Sequence, residues 1–143
     1  MDFSRLLEFA GNHTLLITAF FAVLGLLVAG ELRNRLGGIR KVDPTGAAVL
    51  SNRENAVFLD IREDKEYHEG HIPDALHIPL KQLPDRIAEL EKYRDRPLIV
   101  CCRSGSRSAS ACATLRKQGF ENVYNLGGGM LAWQSANLPV RKK

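Results

Sequence analysis

Residues 101–108, CCRSGSRS, hold the side chains of this chain that are best suited to chemistry. Two adjacent cysteines, Cys101 and Cys102, are followed within six positions by two arginines, a glycine and three serines. A cysteine thiolate is a strong nucleophile, and positive charges and consecutive backbone amides near it stabilise its negative charge. The segment therefore predicts a reactive thiol in a loop that binds an anion.

Which cysteine reacts depends on its spacing from Arg107. Four residues lie between Cys102 and Arg107, and five lie between Cys101 and Arg107. The smaller ring of amides, with Gly105 three residues after Cys102, suits a single sulfur atom carried on the cysteine. The larger ring suits the tetrahedral phosphoryl group of a tyrosine-phosphatase-like enzyme. Cys101 continues the apolar run LIVC, whereas Cys102 is the first residue of the turn, and this favours Cys102.

The loop that follows Cys102 contains groups that favour a thiolate. Backbone N–H groups that curl toward the sulfur and the positive end of the next helix both lower the pKa of a thiol. Serine hydroxyls, one of which could cap that helix, and arginine side chains complete the candidate substrate-binding set: Arg103, Ser104, Gly105, Ser106, Arg107 and Ser108. Gly105 provides a backbone conformation that other residues resist. This interpretation requires amides that face the sulfur and a thiol that solvent can reach.

Short apolar segments alternate with helical patterns after residue 55. Strands are predicted at 56–61, 75–80, 97–102 and 122–126. Helices are predicted within 84–93, 108–120 and 127–138. This alternation predicts an α/β domain with a mainly parallel sheet that is covered on both faces. Ligands of such sheets bind at the carboxyl ends of strands, where the segment 102–108 would lie.

Four segments in this order resemble those of the rhodanese (sulfurtransferase) domain family. CRSGSRS after PLIV is similar to the family's active-site loop, and FLDIRE (58–63) is similar to its strand that ends in Asp-x-Arg. EYHEGHIPDALHIPL (66–80) resembles the family's Gly-His-Ile-Pro segment, and NVYNLGGGMLAW (122–133) resembles its closing strand, glycine turn and tryptophan. The resemblance covers roughly residues 39–140. It departs from the family at Asp74, where glycine is usual.

The resemblance implies a rhodanese-like parallel sheet flanked by helices and a sulfurtransferase activity. Cys102 would take sulfane sulfur from a small donor such as thiosulfate or a persulfide, and it would hold the sulfur as a persulfide stabilised by the amides of residues 103–107. A thiol or cyanide would then accept the sulfur. Neither a metal nor an organic cofactor is implied, because the cysteine itself carries the transferred atom. The protein partner is left open.

Two other functions remain open at this stage. One is a cysteine phosphatase or arsenate reductase that uses the larger loop from Cys101 to Arg107. The other is a non-catalytic docking module with a rhodanese fold. Asp60 and Arg62 are expected to form a structural pair near the site. Other side chains are expected to be structural rather than reactive: Cys101, Cys112, His71, His77 and Trp133.

The N-terminal part contains an apolar stretch, residues 9–30, with 22 residues and no charged side chain. As one helix it would be about 33 Å long, and a bilayer core needs roughly 20 such residues. A signal peptide normally has a shorter apolar region of about 7–15 residues, and a core helix rarely lacks charge over such a length. The predicted organisation is a short non-cytoplasmic N-terminus (1–8), a transmembrane helix (9–30), a linker (31–38) and a rhodanese-like domain (39–143).

The charges predict the orientation and the compartment. Only Arg5 precedes the apolar stretch, whereas four basic residues follow it closely: Arg33, Arg35, Arg40 and Lys41. The positive-inside rule thus predicts a single-pass protein of the plasma (inner) membrane whose C-terminal domain faces the cytoplasm. Three cysteines without a disulfide framework agree with a reducing compartment. A net charge of only +4, without a basic patch interleaved with aromatic residues, argues against nucleic-acid binding.

Overall fold

The computed structural model describes residues 3–142 of the 143-residue chain. Met1 and Asp2, which belong to the predicted segment 1–8, and Lys143, at the end of the predicted domain, lie outside the described residues. The chain forms two compact units. The first ends at Gly38 and the second begins at Ile39.

The N-terminal unit consists of two helices, α1 (Phe3–Asn12) and α2 (Thr14–Gly37). His13 lies between them with φ −125° and ψ 39°, which is outside the helical range. The uncharged stretch 9–30 is therefore divided between two helices rather than forming one. In α2 it comprises the 17 residues before Glu31.

The predicted membrane anchor is contradicted by the structure. Among residues 3–142, no helix combines the length and the apolar character that crossing a membrane requires. The transmembrane helix predicted at 9–30 is therefore wrong, and so is the predicted inner-membrane location with the C-terminal domain facing the cytoplasm. Counting uncharged residues treated the stretch as one element and missed the interruption at His13.

A parallel sheet of five strands forms the centre of the second unit. The strands are β1 (Arg40–Val42), β2 (Val57–Asp60), β3 (Leu76–His77), β4 (Leu98–Cys101) and β5 (Val123–Leu126). Their order is β1-β5-β4-β2-β3, and every neighbouring pair is parallel. The predicted α/β class with a parallel sheet is confirmed. Because β4 is the central strand, the residues after Cys101 emerge in the middle of the carboxyl edge.

Helices flank the sheet and connect its strands. The α-helices are α3 (Pro44–Glu54), α4 (Asp64–Glu69), α5 (Leu83–Arg86), α6 (Ser106–Lys117) and α7 (Gly129–Ser135), and 3-10 helices span Leu80–Gln82 and Ile87–Tyr93. The segment after α6 has Gly119 at φ 88° and a buried Phe120.

Some elements differ from the sequence prediction. The strand predicted at 75–80 has only two strand residues, because Pro79 cannot donate a ladder hydrogen bond and instead precedes a 3-10 helix. The helix predicted within 84–93 is a single α-helical turn that continues as a 3-10 helix. β1 and α3 were not predicted. Asp74 has φ 62°, a left-handed conformation that glycine adopts at lower cost, which gives a physical reason for glycine at this position of the family.

The alternation of side chains along β4 separates the two adjacent cysteines. Val100 and Cys102 belong to one core cluster, together with α6 residues such as Leu115, whereas Ile99 and Cys101 belong to a second cluster on the other face. Successive side chains of an extended strand point to opposite faces. The cysteines therefore have different surroundings despite being neighbours in sequence.

A buried ion pair fixes the chain where it leaves β2. Asp60 is fully buried and Arg62 is 5% exposed. The guanidinium of Arg62 donates to both carboxylate oxygens of Asp60, with the shortest contact at 2.7 Å, and to the carbonyl oxygen of Gly70 at 2.7 Å. The expected pair is thus present, and it ties the end of β2 to the residue that follows α4.

We predict that Arg62→Leu lowers the free energy of unfolding of the full-length chain by about 3–5 kcal/mol, because it leaves the Asp60 carboxylate buried without its partner. Urea denaturation monitored by the single tryptophan, Trp133, measures this change. Arg86→Leu breaks an exposed pair with Glu89 and is the control, for which little change is expected. Equal effects of the two substitutions would contradict the role given to the buried pair.

Candidate active site

The loop after β4 is hydrogen-bonded to the first turn of α7. The carbonyl oxygen of Cys102 accepts a hydrogen bond from Met130 N–H at 2.8 Å, and that of Arg103 accepts one from Leu131 N–H at 3.1 Å. A Cβ atom at Gly129 would overlap these two carbonyl groups, so only glycine allows this close approach. With the carbonyls directed toward α7, the amides that follow are free to turn toward the sulfur.

One amide of the predicted ring donates directly to the sulfur of Cys102: Gly105 N–H lies 3.0 Å from Sγ. The amides of Ser104 and Ser108 also contribute to lowering the pKa of this thiol. Gly105 has φ 99° and ψ −4° and stands immediately before α6. This left-handed conformation is what allows the loop to close. No serine side chain caps α6, so that part of the prediction is wrong.

The three thiols differ sharply in acidity. Burial opposes ionisation of Cys102, but the Ser108 hydroxyl and the amides of Ser108, Gly105 and Ser104 outweigh it, so that the pKa of this thiol is lowered. Burial, and next to it the Asp60 carboxylate, raise the pKa of Cys101 well above its usual range. Burial raises the pKa of Cys112 to about 12. Of these thiols, Cys102 is the one that the loop prepares as a nucleophile.

The second condition, a thiol open to solvent, is not met in this conformation. Cys102 is only 1% exposed, whereas Arg103, Ser104 and Ser106 of the loop above it are exposed. A reactant therefore has to approach the sulfur past these residues.

Asn125 supports the loop from β5 and was not identified from the sequence. Ser108 Oγ donates to Asn125 Oδ1 at 2.5 Å, and Asn125 Nδ2 donates to the carbonyl oxygen of Gly105 at 3.0 Å. Ser108 Oγ also lies 3.3 Å from the sulfur of Cys102. All three side chains, Cys102, Ser108 and Asn125, are buried. A polar residue within the apolar strand next to β4 was the signal that could have identified it.

Arg107 was predicted to contact an anion, but in the structure it pairs with Glu66 of α4. The two terminal nitrogens of Arg107 donate to the two carboxylate oxygens of Glu66 at 2.9 and 2.7 Å. The hydrogen bond from Arg107 is the main cause that lowers the pKa of Glu66 to about 2, and the same bond raises the pKa of Arg107. The sequence did not single out Glu66, which lies 41 residues before its partner.

A cleft of about 260 Å³ adjoins the loop. Its walls are formed by Arg62, Glu66, Glu69, Gly70, Arg103, Met130, Leu131 and Gln134. Within the described part of the chain, the side chains of Arg103 and Ser106 form no hydrogen bond or ion pair. Arg103 is the loop residue that lines this cleft, and its guanidinium has no ion-pair partner among the described residues. A larger cleft of about 550 Å³ is lined by Leu76, His77, Ile78, Arg86 and residues 88–93, and none of these belongs to the loop.

The two histidines near the site are structural, as expected. The ring of Tyr67 stacks between His71 and His77, with centroid distances of 3.8 and 4.1 Å. His71 Nδ1 lies 2.9 Å from the carbonyl oxygen of Tyr67, and His77 Nε2 lies 2.8 Å from that of Arg62. These contacts place the rings in the packing of α4 and β3. Among residues 3–142, no group of three or more His, Cys, Asp or Glu side chains is arranged to hold a metal ion.

Comparison with known proteins agrees with this fold. A "Sulfurtransferase" from Allochromatium vinosum is 44% identical over 64% of this chain and 83% of its own. "Thiosulfate sulfurtransferase GlpE" from Pseudomonas savastanoi is 35% identical over 67% of this chain and 88% of its own. The crystal structure of a rhodanese-related protein from Thermoplasma volcanium has a TM-score of 0.66 and 29% identity, covering 73% of this chain and 99% of that one.

The family assignment rests on a match that extends over most of the second unit. The model of the Rhodanese-like domain family matches residues 43–136, a range that runs from the start of α3 to the end of α7 and includes the whole Cys102 loop. The chain belongs to the rhodanese-like domain family.

Proposed function

We propose that this protein is a sulfurtransferase in which Cys102 carries sulfane sulfur as a persulfide. The observation that carries the proposal is the surroundings of one sulfur: Gly105 N–H donates to Sγ at 3.0 Å, and Ser108 Oγ lies 3.3 Å from it. Together with the amides of Ser104 and Ser108, these groups lower the pKa of the Cys102 thiol. These donors favour the thiolate, which is the nucleophilic form. The sulfurtransferase names of the relatives support the same reaction class.

In the first half-reaction, the Cys102 thiolate attacks the outer sulfur of the donor. With thiosulfate as donor, a new sulfur–sulfur bond forms to Cys102, and the sulfur–sulfur bond of thiosulfate breaks. Sulfite leaves with the electron pair, so the negative charge is conserved and no oxidant is needed. The Cys102 persulfide anion then carries the charge, and the donors of the loop stabilise it as they stabilise the thiolate.

In the second half-reaction, an acceptor thiolate or cyanide attacks the outer sulfur of the persulfide. The bond between that sulfur and Cys102 breaks, and Cys102 leaves as the thiolate with the electron pair. The loop favours this step too, because it stabilises the leaving thiolate. No group other than Cys102 has to change its covalent state in either step.

The structure supports this chemistry over a phosphatase reaction at Cys101. Cys101 is fully buried, belongs to the core on the opposite face from Cys102, and has a raised pKa. A thiol in that position does not face the amides that would have to bind the phosphoryl group. The intact loop around Cys102 also argues for a catalytic domain rather than a docking module.

We predict that the full-length protein gains the mass of one sulfur atom when it is incubated with thiosulfate, and that cyanide removes it. Intact-mass spectrometry measures both changes. Cys102→Ser is expected to abolish the gain, because it removes the carrier, and Cys101→Ser is expected to retain it. A Cys102→Ser variant that still gains sulfur would reverse the assignment, and hydrolysis of an aryl phosphate without any sulfur gain would favour the phosphatase.

We further predict that Cys102 is alkylated by iodoacetamide at a lower pH than an ordinary thiol, because its pKa is lowered and thiolate therefore persists to lower pH. In the structure the Ser108 hydroxyl donates its hydrogen to Asn125, and on ionisation of Cys102 it can turn this hydrogen to the sulfur 3.3 Å away. Ser108→Ala removes that bond to the thiolate, and because the bond to Asn125 is given up in exchange, the lower end of the usual range, about 1.5 kcal/mol, applies. The midpoint of the pH–rate profile should rise by about one pH unit. Rates are followed by mass spectrometry of the peptide that contains Cys102.

Ser110→Ala is the control for this experiment, because Ser110 is exposed on the same helix. Its midpoint is expected to match that of the unmodified sequence. If Ser108→Ala and Ser110→Ala gave the same profile, the Ser108 hydroxyl would have no part in the acidity of the thiol.

A further inference from the structure

The pair between Glu66 and Arg107 sets the charge of the loop. Each terminal nitrogen of Arg107 donates to one oxygen of the same carboxylate, a bidentate arrangement that leaves this guanidinium little capacity for a substrate. The side chains of Arg107 and Glu66 are 36% and 27% exposed. The pair is therefore accessible to solvent, and Glu66 also lines the cleft that adjoins the loop at Arg103.

Glu66 is held in this position by its own helix. Its Oε2 atom also accepts a hydrogen bond from Glu63 N–H at 3.1 Å, as part of a capping box at the start of α4. A carboxylate fixed both by the helix end and by Arg107 loses less conformational entropy in keeping the pair than two mobile surface side chains would. With a pKa of about 2, Glu66 stays ionised throughout the neutral range.

Most of the positive charge near the Cys102 loop is neutralised by ion pairs. Arg62 is paired with Asp60 and Arg107 with Glu66. Arg103 remains as the cationic side chain near the sulfur that has no ion pair among the described residues. A dianion such as thiosulfate thus meets a net charge of about +1 from these three arginines taken together with Asp60 and Glu66.

The adjoining cleft has side chains of both signs. Arg103 and Glu69 line it together with the neutral Gln134, and Glu66 forms part of the same wall. Its volume of about 260 Å³ is just below the range of drug-sized pockets, roughly 300–1,000 Å³. A small organic group that carries both a carboxylate and an ammonium would find a partner for each charge there.

We propose that Glu66 determines donor specificity: by holding Arg107, it disfavours the thiosulfate dianion and favours a small zwitterionic organic persulfide, such as an amino-acid persulfide. This inference rests on the proposed sulfurtransferase function. In the step itself, the Cys102 thiolate bonds to the outer sulfur of the donor R–S–SH. The bond between the two donor sulfurs breaks, the thiolate R–S⁻ leaves with the electron pair, and the proton stays on the transferred sulfur.

The test compares two donors, thiosulfate and cysteine persulfide, on the full-length protein and on Glu66→Gln. Glutamine preserves the capping box but removes the charge that neutralises Arg107. Second-order rate constants for Cys102 persulfidation are measured by intact mass. We expect the unmodified protein to prefer cysteine persulfide and Glu66→Gln to raise the rate constant for thiosulfate, relative to cysteine persulfide, by about tenfold, the size expected for removing one nearby charge.

The ratio of the two rate constants is the decisive quantity, since a change in the acidity of Cys102 affects both donors alike. Glu89→Gln is the matched control, because Glu89 forms a similar bidentate pair with Arg86, and its ratio should be unchanged. The gain for thiosulfate should shrink at high salt, as expected for an electrostatic effect.

Two kinds of failure can be told apart. If neither donor gives a persulfide on the unmodified protein, the proposed function is wrong. If persulfide forms but the unmodified protein prefers thiosulfate, or the ratio is the same in Glu66→Gln, the sulfurtransferase function stands and the role of Glu66 is overturned.

Discussion

The site depends on the direction of the backbone between Cys102 and Ser108. The carbonyl oxygen of Cys102 accepts a hydrogen bond from the first turn of α7. The left-handed conformation of Gly105 turns the loop back toward the Cys102 sulfur. A peptide group is planar, so fixing a carbonyl on one side of the chain fixes the amide on the other. The close packing at Gly129 is therefore part of the same device that gives Cys102 its acidity, although Gly129 never touches the sulfur.

The sheet adds a second constraint, which is the choice between the two cysteines. In a parallel sheet buried on both faces, a shift of one residue along the strand moves a side chain from one core to the other. Cys101 thus faces apolar packing, where its pKa is raised, and Cys102 faces the turn into α6. The buried pair of Asp60 and Arg62 secures the neighbouring strand end, which positions α4 and with it Glu66.

The sequence predicts those parts of the site that depend on local spacing. The four residues between Cys102 and Arg107 and the glycine at 105 are enough to indicate the ring, and the alternation of apolar runs is enough to indicate the parallel sheet. Asn125 and Glu66 escaped prediction because they come from other elements and reach the loop only through tertiary structure. The membrane helix was mispredicted because the uncharged composition of residues 9–30 was taken to mean one continuous helix. The backbone conformation of His13 instead divides this stretch between α1 and α2.

The low exposure of Cys102 reconciles two needs that oppose each other. A thiolate gains acidity from amides that surround it, yet the same enclosure removes water and by itself disfavours the charge. In this loop the hydrogen bonds outweigh the burial, so the charge is held by fixed dipoles rather than by solvent.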